Sequence, residues 1–152
     1  MKPMNEINMS FPSCSANEGF ARAAVSAFVA QLDPTIDEIC DIKTAVSEAV
    51  TNCIVHAYRN TIGVVYINCR IFENGKVIVK IRDKGCGIAD IKQAMQPMFT
   101  TSEDERAGLG FAVMESFMDK LHVSSKAGKG TSVTMQKMIS KRTGRQEKNG
   151  QG

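Results

Sequence analysis

A β-hairpin signal in the middle of the chain constrains the fold more than any other feature. Residues 64–72 are rich in β-branched side chains, and residues 76–83 alternate apolar and polar side chains. The residues between them, Glu73-Asn74-Gly75, contain Asn-Gly, the strongest short signal for a tight turn between antiparallel strands. The two segments are therefore predicted to be neighbouring strands of one sheet.

Apolar spacing predicts the elements on either side of this hairpin. A period of two over residues 6–11 indicates a short strand, and helical spacing indicates a first helix that starts near Ser15 or Asn17 and ends at Asp33-Pro34. The other predicted elements are a helix from Thr35 to Tyr58, a helix from Gly108 to about Lys120, and strands over 121–125 and 131–138. Strands joined by hairpins, with helices grouped apart from them, predict an α+β sandwich.

The distribution of charge restricts the class of partner. The chain has 152 residues and a formal net charge of +3. Four basic side chains within 141–152 are opposed only by Glu147 and account for that excess, so the body of the protein is nearly neutral. We predict one domain over 1–139 and a disordered basic tail over 140–152. A neutral body argues against direct nucleic acid binding, because phosphate contacts need a basic face.

Apolar runs and cysteines indicate the compartment. No apolar run approaches the roughly 20 residues of a membrane span, and the N-terminus lacks the apolar stretch of a signal peptide. The 5 cysteines are odd in number and form no CxxC pair, which favours reduced thiols over disulfides or a metal site. We expect a cytoplasmic protein with no membrane contact.

The first of three polar motifs lies on the second predicted helix. Glu48, Asn52 and His56 follow one another at intervals of four residues, so they line one edge of the helix beside its apolar stripe. An amide oxygen suits Mg²⁺, and a nearby carboxylate can polarise an attacking oxygen. The alternative interpretation is a solvated polar flank without a chemical role.

The other two motifs are rich in glycine. Asp83 ends a predicted strand and is followed by Gly85 and Gly87, where the lack of side chains lets the backbone approach a ligand closely. Gly108-Leu109-Gly110 stands at a predicted helix start, where free N–H groups and the helix dipole favour phosphate. Each motif by itself is equally compatible with an ordinary turn.

Together, the order, spacing and element context of the three motifs resemble those of the Bergerat (GHKL) ATPases, a family that includes sensor histidine kinases and type II topoisomerase subunits. The segment 96–107 is similar to the ATP lid of that family. The resemblance implies a two-layer α/β sandwich with a mixed, mostly antiparallel sheet and helices on one face. It also implies ATP or ADP as ligand, together with Mg²⁺.

Further segments resemble the anti-sigma-F factors, which are stand-alone serine protein kinases within this family. These segments are 28–35, 46–52, 99–101 and 114–119, and the likeness extends over about residues 5–138. This closer resemblance implies a homodimer that holds a sporulation sigma factor inactive and phosphorylates a small anti-anti-sigma protein on serine, with ATP and ADP switching the partners.

The resemblance also implies a role for each motif residue. Asp83 would accept a hydrogen bond from the adenine amino group, with Thr131 close by. Asn52 would hold Mg²⁺ against the phosphates, and Glu48 would act as a base or orient the seryl hydroxyl of the substrate.

The resemblance further implies which residues contact the phosphates. Gly108, Leu109 and Gly110 would offer backbone N–H groups to them, and Arg106 in the lid could neutralise the transferring phosphoryl group. His56 could contact a phosphate, or it could be a structural histidine whose hydrogen bonds are already made.

Partner binding and turnover leave several alternatives open. Glu18 and Arg22 on the first helix are candidates for the partner surface, although this spacing is also that of an ordinary exposed ion pair. A binding module that uses nucleotide only as a switch, and an anti-sigma kinase of the general-stress type, are the competing functions.

Overall fold

In the part of the chain that the structure describes, five strands form one sheet and three α-helices pack on it. The structure is a computed structural model that describes residues 1–88 and 102–140, leaving out the side chains of 102–108. The elements are β1 (Asn5–Pro12), α1 (Ala16–Val29), α2 (Ile36–Asn52), β2 (Val64–Ile71), β3 (Lys76–Arg82), α3 (Ser102–Phe117), β4 (Lys120–Lys126) and β5 (Gly130–Met138). A 3₁₀ turn follows α1 at Ala30–Leu32, and a π-helical turn follows α2 at Cys53–Ala57.

The strand order is β1-β2-β3-β5-β4. Within the described residues every pairing is antiparallel, whereas the prediction allowed for a mixed sheet. The predicted hairpin is present, with Ile71 opposite Val77 and Gly75 at a φ of 96° in the turn. The α+β sandwich with helices on one face is confirmed.

The two faces of the sheet differ in polarity because side chains alternate along each strand. On one face, apolar side chains meet the helices and form the core; those from the central strands are Val65, Ile67, Cys69, Ile71, Val77, Val79, Ile81, Val133 and Met135. Helix α2 lies between α1 and α3 above this face. On the opposite face polar groups meet, as where Asn68 Nδ2 donates to Glu6 Oε1 at 2.7 Å.

A capping box starts α2. The Thr35 hydroxyl accepts from Glu38 N at 3.1 Å, and the Glu38 carboxylate accepts from Thr35 N at 2.8 Å. Asp33 ends the preceding 3₁₀ turn in a left-handed conformation, at a φ of 52°. The predicted boundary at Asp33-Pro34 therefore agrees with the structure.

The third helix starts earlier than predicted. It begins at Ser102 rather than at Gly108, so the Gly108-Leu109-Gly110 motif lies inside the helix. The sequence explains the difference: acidic residues after Ser102 favour a helix N-terminus, and this preference outweighs the cost of two internal glycines. Residues 96–101 of the predicted lid lie outside the described residues, and the rest of it is helical backbone.

The C-terminal end of the predicted domain lies against the start of α2. Ser140, the first residue of the predicted tail, donates from its backbone N–H to the Glu38 carboxylate at 2.8 Å. Residues 141–152 lie outside the described residues.

All five cysteines carry free thiols. No helix in the described part of the chain is long and apolar enough to cross a membrane.

Candidate functional site

A buried carboxylate just beyond β3 is the centre of the candidate site. Asp83 is 5% exposed. Its Oδ1 atom accepts hydrogen bonds from the backbone N–H groups of Gly85 at 2.9 Å and Thr131 at 3.2 Å. The Asp83 N–H donates to the Thr131 carbonyl at 2.9 Å. These bonds fix the carboxylate between the glycine turn and β5.

The surroundings of Asp83 act on its charge in opposite directions. Burial raises the pKa of Asp83 above its ordinary value, while hydrogen bonds from Gly85, Cys53 and Thr131 counteract part of that rise. Burial also raises the pKa of the Cys53 thiol well above its ordinary range, so the thiol stays protonated and can donate to the carboxylate. A carboxylate held by these donors still has lone pairs for a ligand that donates hydrogen bonds, as an amino group does.

The glycine turn after Asp83 is held between two neighbouring segments. Cys86 N donates to the Ala57 carbonyl at 3.0 Å, and Gly128 N donates to the Cys86 carbonyl at 2.7 Å. A Cβ atom at Gly85 would collide with the Ala57 carbonyl, so this close approach requires glycine. Gly87 has a φ of 73° and lies against the Lys126 carbonyl.

Glu48 and Asn52 on α2 face Gly110, the second glycine of the third motif. A Cβ atom placed on Gly110 would lie 3.2 Å from Asn52 Oδ1 and 3.3 Å from Glu48 Oε2. The two polar groups therefore share one space beneath α3, as the helix-edge prediction required. Within the described residues, Asn52 Nδ2 is buried and has no hydrogen-bond partner. The open Nδ2 is a donor that suits a phosphate oxygen, and Oδ1 is the atom of Asn52 that would hold Mg²⁺.

The third motif, Gly108-Leu109-Gly110, lies inside a helix and not at the predicted helix start. Leu109 is 53% exposed, and Gly110 is buried. Because α3 begins at Ser102, the N–H groups of Gly108, Leu109 and Gly110 occupy positions that an α-helix uses for its own i→i−4 hydrogen bonds. Phosphate contacts from them require the first turns of α3 to unwind. The side chain of Arg106 lies outside the described residues.

His56 lies beyond the regular α-helix that carries Glu48 and Asn52. Regular α-helix ends at Asn52, and the following turn is π-helical, with Tyr58 N donating to the Cys53 carbonyl at 3.2 Å. The four-residue spacing used for the prediction therefore stops before His56. Its carbonyl accepts from the Cys86 thiol at 3.3 Å, which connects this turn to the glycine turn.

The candidate partner residues lie on α1, next to the helix that carries the site. Arg22 Nη1 is 3.9 Å from Glu18 Oε1, and these side chains are 44% and 24% exposed. The Ser47 hydroxyl also donates to Glu18 Oε1, and Ser47 directly precedes Glu48 in α2. Glu18 thus connects the exposed Arg22 with the helix of the site.

Three residues that position the site have no motif in the sequence. The Tyr58 hydroxyl accepts from Lys84 N and donates to the Val64 carbonyl, both at 2.7 Å. Cys53 supports Asp83, and Ser125 contacts the hydroxyl of Thr131 at 2.8 Å. Their partners lie on other elements, so only the position of Cys53 directly after Asn52 could have drawn attention to any of them.

The fold and this arrangement of groups define a nucleotide-binding domain of the kinase-like ATPase class. The model of the family described as "Histidine kinase-like ATPase domain" matches residues 11–137. The chain belongs to this family.

Curated relatives are similar over almost the whole chain, and several carry the name anti-sigma F factor. The protein of that name from Caldanaerobacter subterraneus subsp. tengcongensis is 58% identical over 140 residues, which are 91% of this chain and 97% of the relative. The anti-sigma F factor of Clostridium beijerinckii is 57% identical over 135 residues, or 88% and 94% of the two chains. That of a Geobacillus species is 53% identical over 139 residues, or 90% and 94%.

Solved structures with low sequence identity show the same fold. The RsbU and RsbW domains of a Mycobacterium tuberculosis protein have a TM-score of 0.68 and 18% identity, covering 92% of this chain and 34% of that one. The histidine kinase domain of a blue-light activated kinase from Erythrobacter litoralis has a TM-score of 0.53 and 19% identity, covering 80% and 61%. The ATPase domain implies nucleotide binding.

Proposed function

We propose that this protein is an anti-sigma factor and serine protein kinase of the sporulation type. It binds ATP with Mg²⁺, holds a sigma factor of the sigma-F type inactive and phosphorylates a small anti-anti-sigma protein on serine. It works as a cytoplasmic homodimer whose partners exchange with the change from ATP to ADP. Supporting the proposal are the names of relatives that are 53–58% identical over most of the chain.

One structural observation carries the enzymatic part of the proposal: among the residues that the structure describes, the buried Asn52 Nδ2 atom has no hydrogen-bond partner, and Asn52 lies with Glu48 against Gly110. Asn52 would hold Mg²⁺ through its Oδ1 atom, and the bound ion would neutralise phosphate charge. Asp83 accepts from the adenine amino group, with Thr131 beside it, while the turn at Gly85 and Gly87 admits the base.

Phosphoryl transfer then needs little covalent chemistry from the protein. The substrate seryl oxygen attacks the γ-phosphorus, the bond to the bridging oxygen breaks, and ADP leaves. Glu48 accepts the seryl proton or orients the hydroxyl. Gly108, Leu109 and Gly110 offer N–H groups to the phosphates once the start of α3 unwinds, and Arg106 neutralises the phosphoryl group in flight. His56 stays a candidate phosphate contact.

The test is a phosphotransfer assay with labelled ATP, Mg²⁺ and a matching small anti-anti-sigma protein. We expect acid-stable label on an acceptor serine. In Glu48→Gln we expect transfer to fall by about 10²–10⁴-fold, the usual contribution of a general base, with ATP binding kept. Lys43→Ala, at an exposed position of the same helix, is the control for general damage to α2 and should retain transfer.

The other outcomes separate the competing functions. ATP binding without any transfer by the unaltered protein would favour a binding module gated by nucleotide. Undiminished transfer in Glu48→Gln would remove Glu48 as the base. Absence of nucleotide binding would contradict the proposed site as a whole.

A further inference from the structure

The hydroxyl of Ser125 on β4 joins three segments beside the proposed base site. It lies 2.7 Å from Ile88 N, 3.0 Å from the Gly130 carbonyl oxygen and 2.8 Å from Thr131 Oγ1. Ile88 directly follows the glycine turn, and Gly130 and Thr131 begin β5. Thr131 N in turn donates to Asp83 Oδ1, so Ser125 is connected to Asp83 through Thr131.

Counting protons fixes the direction of these bonds. A serine hydroxyl has one proton and can accept two hydrogen bonds. The Ile88 N–H can only donate, and the Gly130 carbonyl can only accept, so the Ser125 proton points to Gly130. The reverse arrangement would leave two oxygens of Ser125 and Gly130 facing each other at 3.0 Å without a proton. The Thr131 hydroxyl must therefore donate to Ser125.

The consequence is that Thr131 has no proton left for a ligand. Its Oγ1 presents only lone pairs, and the neighbouring Asp83 carboxylate also only accepts when ionised. Two bonds hold the Asp83 carboxylate beside the Thr131 backbone: Thr131 N donates to Asp83 Oδ1 at 3.2 Å, and Asp83 N donates to the Thr131 carbonyl at 2.9 Å. The Thr131 hydroxyl is held by Ser125. This edge of the site therefore suits a base that donates hydrogen bonds there.

We propose that Ser125 determines base specificity by holding the Thr131 hydroxyl as an acceptor, so that the site selects a purine with an amino group over one with a carbonyl in its place. Ser125 is a positioning residue that acts through Thr131 and does not itself touch the base. This inference rests on the proposed function, specifically on the placement of the base at Asp83.

The experiment measures dissociation constants of the full chain for ATP and for inosine triphosphate, in which a carbonyl replaces the amino group. The readout is the ratio of the two constants, which a general loss of affinity does not change. In Ser125→Ala the Thr131 proton is released and can donate to the carbonyl, so we expect the preference for ATP to fall about tenfold, the size of one hydrogen bond. Ser125→Thr keeps a hydroxyl and should keep the preference.

A double-mutant comparison separates action through Thr131 from local damage. Thr131→Val should weaken ATP binding more than inosine triphosphate binding, because an acceptor for the amino group is lost. Adding Ser125→Ala to Thr131→Val should leave the ratio unchanged. Should Ser125→Ala fail to fold, Thr131→Val alone decides: a larger loss for inosine triphosphate would mean that Thr131 donates, which would overturn the inference.

The failure of this inference can be told from the failure of the proposed function. An unchanged or increased preference for ATP in a folded Ser125→Ala protein that still binds ATP overturns the role of Ser125 only. ATP binding that survives Asp83→Asn unchanged, or no nucleotide binding by the unaltered chain, overturns the base site and the inference with it.

Discussion

At the scale of single residues, the site depends on groups that are buried at some cost and then held by short-range bonds. Asp83 is the main example: burial alone disfavours its charge, and hydrogen bonds from Gly85, Cys53 and Thr131 recover part of that penalty. The glycine turn is packed closely against backbone atoms. The carbonyl oxygens of Ala57 and Lys126 lie where side chains at Gly85 and Gly87 would stand. The carboxylate of Asp83, which the proposed function uses to bind the base, is thus buried at a cost to local stability.

The charge of Asp83 gives a pH-dependent prediction. Because its pKa is raised in the folded state, the protonated form contributes stability that is present at low pH and lost as the pH rises through that pKa. The unaltered protein should therefore gain stability relative to Asp83→Asn, whose amide does not titrate, as the pH falls from about 7 to about 4. Denaturant unfolding followed by circular dichroism measures this difference. A loss of stability relative to Asp83→Asn as the pH falls would contradict the raised pKa of Asp83.

Two glycines with nearly equal backbone conformation allow a matched test of close approach. Gly87 and Gly128 have φ values of 73° and 76°, so alanine at either position carries a similar conformational cost of about 1–2 kcal/mol. A Cβ atom at Gly87 would meet the Lys126 carbonyl, whereas one at Gly128 would meet nothing within 4 Å. We expect Gly87→Ala to lower the free energy of unfolding and ATP affinity by clearly more than Gly128→Ala. Equal losses in both properties would mean that the turn tolerates the added atom.

At the scale of secondary-structure elements, α2 organises the molecule. Its start is fixed by the capping box of Thr35 and Glu38, its middle packs between α1 and α3, and its last α-helical turn carries Glu48 and Asn52. The π-helical turn that follows brings the carbonyls of His56 and Ala57 to the glycine turn. One helix therefore connects the phosphate part of the proposed site to the base part.

The start of α2 gives the second pH-dependent prediction. Burial alone would raise the pKa of Glu38, but hydrogen bonds from Thr35 and Ser140 bring it below its ordinary value. The ionised carboxylate then contributes stability that is present at neutral pH and lost as the pH falls through the lowered pKa. Glu38→Ala should cost about 0.5–2 kcal/mol at neutral pH, as the loss of a cap does. The cost should shrink in acid.

The control for Glu38 is its neighbour Asp37, which lies in the same first turn but outside the capping box. Asp37→Ala should cost less, because only the interaction with the helix dipole is lost. Unfolding curves of both variants at several pH values test the prediction. A cost for Glu38→Ala that is independent of pH would argue against its carboxylate as the source.

At the scale of the whole molecule, the sheet separates a packed side from an open one. Helices cover the apolar face, and polar and charged side chains such as Lys80 and Arg82 occupy the other. Arg82 lies over the ring of Tyr66, with its guanidinium carbon 5.0 Å from the ring centroid. All of the core that supports the proposed site is therefore on one side of the sheet.

Two isoleucines on the same strand test this asymmetry. Ile81 is 1% exposed beneath the helices, while Ile78 lies on the open face and is only half-buried. We expect Ile81→Ala to lower the free energy of unfolding by about 2–5 kcal/mol through lost burial and a cavity. Ile78→Ala should cost no more than about 1 kcal/mol. Urea unfolding at low protein concentration measures both, and equal losses would mean that the open face is covered as well.

Features that depend on neighbours along the chain can be predicted from the amino-acid sequence. The Asn-Gly hairpin, the end of the first helix at Asp33-Pro34 and the alternation that divides the sheet into two faces follow from local backbone preferences and side-chain periodicity. The spacing of Glu48 and Asn52 was likewise sufficient to place them on one helix edge. The family resemblance came from the same local motifs.

Contacts between segments that are distant in sequence become visible only in the folded chain. No pattern indicates that Cys53 supports Asp83, that Ser125 orients Thr131, or that Tyr58 ties down the glycine turn, because each of these bonds crosses between elements. The predicted start of α3 at Gly108 is wrong because the helix-forming segment before the glycines extends the helix back to Ser102. The prediction of one continuous helix from Thr35 to Tyr58 missed the π-helical turn after Asn52, because an i→i−5 hydrogen bond leaves no trace in apolar periodicity.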